Sequence, residues 1–107
     1  SAASDVYKRQ TLRWAKKNIK ETNNMVKTLK ETTEMMVSPD YNERFKAEYY
    51  QLMLRFRGLQ SILFKWDNGS LSFEPTCPRS IYNIQIDAMA NYLAILEARA
   101  VMEGIEL

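Results

Sequence analysis

Between Phe45 and Trp66 the chain carries Phe45, Tyr49, Leu52, Phe56, Leu59, Leu63 and Trp66, separated by alternating steps of four and three. Only an α-helix brings residues at that spacing onto one face, so this stretch dictates a helix with an apolar stripe that must be covered. Met53 and Ile62 widen the stripe. Gly58 lies inside it, where glycine costs about 1 kcal/mol relative to alanine. Its presence fits either the close approach of a packed helix or room for a ligand. Upstream, Ser38-Pro39-Asp40 breaks the preceding structure, because proline disfavours helix at the residue before it. Asp40 and Glu43 have the spacing of a capping box. The predicted helix spans about 39–66, and Asp67-Asn68-Gly69-Ser70 ends it with Asn68 or Gly69 suited to a left-handed cap.

Two further helices are expected. Residues 11–37 contain no proline or glycine. Leu12, Ile19 and Val26 recur every seven residues, as do Ala15, Leu29 and Met36 with Thr22 in the gap. This narrow stripe resembles a coiled-coil seam and must lie against something. The third helix, about 78–103, starts at Thr76-Cys77-Pro78, with Thr76 or Cys77 at the cap and Pro78 in the first turn. It carries two stripes: Ile81, Ile84, Ala88 and Ile95 on one side, and Ile86, Met89, Leu93 and Leu96 on another. A helix apolar on two sides is covered on two sides. One small protomer cannot do that, so self-association is expected. Leu71 and Phe73, in the connection, are expected to tuck back onto the hairpin.

The expected fold class is therefore all-α: a long antiparallel helical hairpin plus an N-terminal helix, assembling as a helical oligomer. At 107 residues the chain has room for one domain. Residues 1–10 resemble translated adapter sequence joined to a reading frame, so they are read as a non-native leader and residues 11–107 as the single helical domain.

Chemistry is constrained by what is missing. The sequence has no histidine and one cysteine, Cys77. The usual general base near neutral pH, the commonest metal ligand and a thiol–imidazole pair are all absent. No Gly-rich phosphate loop and no carboxylate–histidine di-metal element occurs. The chain is expected not to be an enzyme and to need no cofactor or metal. No apolar run approaches the ~18 residues that suggest a membrane span, and a soluble intracellular protein is expected. Net charge is only +2, but residues 1–37 carry eight Lys/Arg against four Asp/Glu and residues 74–107 two against five. Opposite charge attracts the segments; a basic rim for a phosphate-bearing partner is the functional alternative. No nucleic-acid reader module is present, so nucleic acid is not the expected partner.

Aromatics and cations are suggestive of a nucleotide. Tyr49, Tyr50, Phe56, Phe64, Trp66, Tyr82 and Tyr92 supply flat faces, while Arg55, Arg57, Lys65 and Arg79 supply phosphate donors. Tyr49, Phe56 and Trp66 lie on the heptad stripe and read first as core. Tyr50, Arg55, Arg57 and Lys65 lie off it and are freer to bind. Arg79 falls in the first turn of the third helix, where backbone N–H groups also favour anions. The expected ligand-binding residues are Tyr50, Arg55, Arg57, Lys65, Trp66, Arg79 and Tyr82, with bases stacked on Tyr50, Tyr82 or Trp66.

From Arg55 onward the sequence resembles a known family. It reads Arg-Phe-Arg-Gly-Leu-Gln-Ser-Ile-Leu from Arg55, then Phe73-Glu-Pro-Thr-Cys-Pro78. Ala88-Met89-x-x-Tyr92-x-x-Ile95-Leu96-Glu97-x-Arg99 follows, and then Glu103-Gly104-Ile105. This pattern is similar to small bacteriophage proteins of the anti-CBASS and Thoeris anti-defence helical-hairpin group, in the branch of crAss-like phage accessory proteins. The resemblance covers roughly half the chain. It implies an oligomeric sponge that binds cyclic nucleotide immune signals between protomers without cleaving them, in the cytoplasm of the infected bacterium. The long N-terminal helix does not match either sponge type. The family's pocket lysine has no matched position: Gln60 stands near its place and Lys65 further on. The alternative reading is an oligomeric adaptor that binds another protein and no small ligand.

Overall fold

The alternating stripe of Phe45 to Trp66 does form a helix, and a second one lies antiparallel along it. A computed structural model describes Val26 and residues 28–107, and among these all regular structure is helical. The elements are α1 (Leu29–Met36), α2 (Tyr41–Asp67) and α3 (Arg79–Glu103). The expected leader and the expected helical run over residues 11–25 lie outside the described residues. At 27 residues α2 is roughly 40 Å long and forms the spine. Among the described residues no helix is long and apolar enough to cross a membrane.

Every member of the α2 stripe is buried or half-buried. Phe45, Tyr49, Met53, Phe56 and Leu63 of α2 share one core with Ile86, Ala90, Leu93 and Leu96 of α3. Fully burying a side chain of this size contributes about 1.5–3 kcal/mol, so this face holds the hairpin closed. Polar ties along the seam set the antiparallel register. Tyr49 donates to Glu97 Oε1 at 2.9 Å, and Tyr92 donates to Glu48 from the other side. Ile105 folds back under the last turn of α3, its N–H bonded to Ala100 O at 2.8 Å. Gly104 makes that return possible at φ 70°.

Three local expectations need correction. The helix expected over 11–37 does not run through Thr28. That residue is extended (φ −134°, ψ 153°), and its hydroxyl caps α1 by accepting from Glu31 N–H. The packed face of α1 is also not the Leu29–Met36 stripe, since both residues are exposed while Thr32 is fully buried. The Thr32 hydroxyl is satisfied internally, donating to Leu29 O at 2.6 Å, so a small polar residue can sit where α1 meets α2. Third, α3 begins one residue late: Pro78 is itself the N-cap, and no side chain caps this end. Elsewhere Asp40 caps α2 as expected, accepting from Asn42 N–H at 3.0 Å.

Gly58 is exposed, and a Cβ there would meet nothing within 4 Å. No close approach within the protomer requires it. In the connection Leu71 is half-buried, whereas Phe73 is exposed and does not tuck back. Of the two α3 stripes, Ile86, Leu93 and Leu96 are buried with Met89 packed beside them, and Ile81, Ile84, Ala88 and Ile95 are exposed.

Candidate functional site

The end of α2 and the start of α3 are joined by a short connection that opens on a hydrogen-bonded turn. Asn68 ends α2, Gly69 adopts φ 76°, and Ser70 N–H bonds back to Lys65 O at 2.9 Å. A left-handed residue followed by this six-to-one bond reverses the chain, and glycine meets that φ without strain. The Asn68 side chain accepts from both the Ser70 N–H and hydroxyl, stiffening the turn. As a result, Trp66 in the last turn of α2 and Arg79 and Tyr82 in the first turns of α3 converge.

Trp66 and Tyr82 meet edge to face, with ring centroids 5.7 Å apart at 74°. The Arg79 guanidinium lies over the indole, its Cζ 5.5 Å from the ring centroid. A cation over an indole face is attracted by the ring quadrupole. Three further contacts aim the guanidinium. Its Nη2 donates to Asp67 Oδ2 at 3.1 Å, its Nε to Asn83 Oδ1 at 3.2 Å, and its Nη1 to Leu63 O at 3.4 Å. The pair is not sealed: the Arg79 side chain is 33% exposed and that of Asp67 65%. Both rings are half-buried. Burial and the neighbouring Cys77 thiol push the Tyr82 phenol above its ordinary pKa, so at neutral pH it stays a hydrogen-bond donor.

Chemically this is an aromatic corner with a pre-aimed cation. A planar ring can stack on Trp66 or Tyr82, and an anion can approach a guanidinium whose plane is already fixed. The uncapped first turn of α3 adds backbone N–H groups beside it.

Of the seven expected residues, the structure brings together three: Trp66, Arg79 and Tyr82. The other four lie elsewhere. Arg57 and Lys65 are exposed on α2, on the same side as the exposed Phe64 and Ser61. Arg55 is exposed three turns before Trp66. Tyr50 departs most from expectation, being packed in the core edge to face on Tyr49 at 5.5 Å. It lies off the α3-facing stripe, but the buried core reaches past that stripe. Sequence reasoning also missed Asp67 and Asn83, which orient Arg79. The i,i+4 spacing of Arg79 and Asn83 was the available signal; the Asp67 contact crosses the turn and leaves none.

The model of a protein family described as Sequestin matches residues 39–102. The chain belongs to the Sequestin family. No curated protein and no solved structure gave a match. The matched stretch takes in α2, the connection and nearly all of α3, so the Trp66–Arg79–Tyr82 corner is built wholly from the Sequestin region. The segment before Pro39, including α1, is outside it.

Proposed function

We propose that this Sequestin-family chain is a phage anti-defence sponge that sequesters a cyclic nucleotide immune signal and releases it unchanged. The family's name supports sequestration, and the chemistry of the corner supports a nucleotide as the thing sequestered. The observation that carries the reading is Arg79 fixed over Trp66 with Tyr82 at its edge, inside the family-matched region. A base stacks on the half-exposed aromatic pair while phosphate oxygens take the guanidinium in exchange for the exposed Asp67 carboxylate. Hydrogen bonds to ionised groups contribute about 1.5–3 kcal/mol each. Lys65, Arg55 and Arg57 add a positive field that draws the ligand in. Turnover needs a positioned base, nucleophile or metal, and a chain without histidine is poorly supplied for it.

The test is recovery. Excess protein is incubated with cyclic dinucleotides, cyclic trinucleotides and cyclic ADP-ribose isomers in turn, free signal is measured, and the protein is then denatured. Depletion followed by return of intact nucleotide is expected for one member of the panel. Product in excess over protein means an enzyme. No depletion across the panel favours the second reading, an adaptor for another protein, to which the exposed apolar residues of α3 lend support.

A further inference from the structure

Two residues of α2 have no role in the hairpin core or in the corner. Gly58 is exposed in mid-helix, with open space where a side chain would stand. Phe64, less than two turns further on, is 70% exposed. They belong to one surface. From Tyr49 through Trp66 the sequence contains no Asp or Glu, and the exposed residues of that stretch are Arg55, Arg57, Gly58, Ser61, Phe64 and Lys65. Arg57, Ser61 and Phe64, at steps of four and three, form one row. Gly58 and Lys65 form the row beside it, and Arg55 flanks Gly58 on its other side. The next carboxylate, Asp67, is two and a half turns from Gly58 and so faces the opposite way, where Arg79 holds it. Glycine is a costly helix residue, and here no turn or neighbour requires it. It leaves the backbone of α2 bare between flanking cations, so that a phosphate can come down against the helix.

Charge, ring and shape together say what this face takes. Three cations with no carboxylate on the same face attract a polyanion. The ring says which one. Every base has a face that stacks on a phenyl group, so an aromatic set among cations suits single-stranded nucleic acid, whereas a duplex keeps its base faces stacked on one another. Shape points the same way. Small-molecule sites are concave and enclose their ligand. The side chains of one helix instead form a convex row, about 15 Å long from Arg55 to Lys65, along which a strand can pass. The chain's own basic stretch, residues 1–37 with eight Lys/Arg against four Asp/Glu, has the wrong charge to cover it.

We infer that this face of α2 binds single-stranded nucleic acid without sequence preference. One base stacks on Phe64, and the phosphates on either side of it are held by Arg57 and Lys65 across the Gly58 notch. No reader module is required, because stacking and charge are tolerant of sequence. The residues are not those of the aromatic corner, and the inference does not rest on the sequestration reading.

Fluorescence anisotropy of the full chain with a labelled oligothymidylate tests it. Binding should weaken with salt along a log–log slope of about −2, the value for three cations on a single strand. Phe64→Ala should weaken it roughly tenfold or more, the loss of one stacked base. Gly58→Glu fills the notch and sets a carboxylate among the cations. It should abolish binding while melting no lower than wild type, since the position is open and glutamate favours helix more than glycine does. No binding in low salt overturns the proposal. So does binding that Gly58→Glu leaves intact, which places the strand on another basic stretch such as residues 1–37. Tighter binding of duplex than of single strand also overturns it, because charge is then acting without stacking. No cyclic nucleotide is present, so a failure here leaves the sequestration reading standing, and a failed recovery experiment leaves this face standing.

Discussion

The two ends of the hairpin are built from the same parts and differ in one respect. At each end an arginine of α3 lies over an aromatic ring of α2 and is tied to a carboxylate. Where α2 begins, Arg99 lies 5.1 Å from the Phe45 ring centroid and bonds Glu103 at 3.1 Å. Tyr41 donates to the same carboxylate at 2.6 Å and accepts from Arg99 at 3.1 Å. Where α2 ends, Arg79 lies over Trp66 and bonds Asp67. At the first end the ring under the cation is 3% exposed, and cation, phenol and carboxylate close a three-membered ring of hydrogen bonds. At the second end both rings are half-open, and the carboxylate is largely in water. One arrangement thus makes a structural lock where its aromatic is buried and a surface ready to bind where it is not.

The sharpest way to break that comparison is to remove the two rings in turn. Phe45→Ala deletes a buried phenyl from the core and should cost about 3–5 kcal/mol of stability. Trp66→Ala removes a half-exposed ring at the C-terminal end of the spine and should cost clearly less while abolishing nucleotide retention. Urea denaturation with matched binding assays measures both. Equal losses of stability would mean that the open end is as much core as the closed one, and the distinction above would fail.

The next effect is smaller and falls on the cations. Arg79→Ala should weaken binding roughly 10- to 100-fold, the equivalent of about 1.5–3 kcal/mol. Its effect on stability should stay within about 1 kcal/mol, as for other partly exposed ion pairs. Asp67→Asn should act in the opposite direction on binding, since it removes the carboxylate that a phosphate has to displace. Alanine at Arg55, Arg57 or Lys65 should change affinity less than at Arg79 and make it less salt-sensitive. Isothermal titration at two ionic strengths separates these outcomes. An Arg79→Ala protein that binds like wild type would move the site away from this corner.

How far all this could be read from sequence depends on the kind of contact. The α2 helix was legible because its seven stripe residues face one partner, α3, and hydrophobic period reports a single buried face well. Of the two α3 stripes, the one formed by Ile86, Met89, Leu93 and Leu96 was legible for the same reason, while Ile81, Ile84, Ala88 and Ile95 are exposed in the protomer. The packing of α1 was not, because Thr32 is buried through its own hydroxyl bond to Leu29 O, and a threonine does not score as a core residue. Tyr50 was misplaced because the core reaches past the stripe: it packs edge to face on Tyr49 and is buried in the same cluster. At the site, Trp66, Arg79 and Tyr82 could be nominated by type, but their convergence depends on the turn from Asn68 to Pro78. That turn is specified by a left-handed glycine and a few backbone bonds, which carry no period.

The smallest effect concerns the lock and reads its strength through pH. The Glu103 carboxyl is held below its ordinary value of 4.5, first by the Tyr41 phenol that donates to it and then by Arg99, against an opposing contribution from burial. The same bond holds the Tyr41 phenol above its ordinary pKa, as expected when a neutral donor serves an anion. A carboxyl that is more acidic folded than unfolded stabilises the fold fully above its ordinary value, and that contribution is lost as pH falls through the depressed one. Stability should therefore decline below about pH 4.5 partly through this group. Carbon-detected NMR titration of the Glu103 carboxyl reads it directly. Tyr41→Phe removes the leading cause and should move the titration up toward the ordinary value, and Glu103→Gln should flatten this part of the acid profile. Because both groups are on the surface, salt should weaken the shift without removing it, since the phenol–carboxylate bond is a contact and not a long-range attraction. If Tyr41→Phe and wild type titrate alike, the closed end is held by Phe45 packing alone, and the two ends differ in burial but share no common lock.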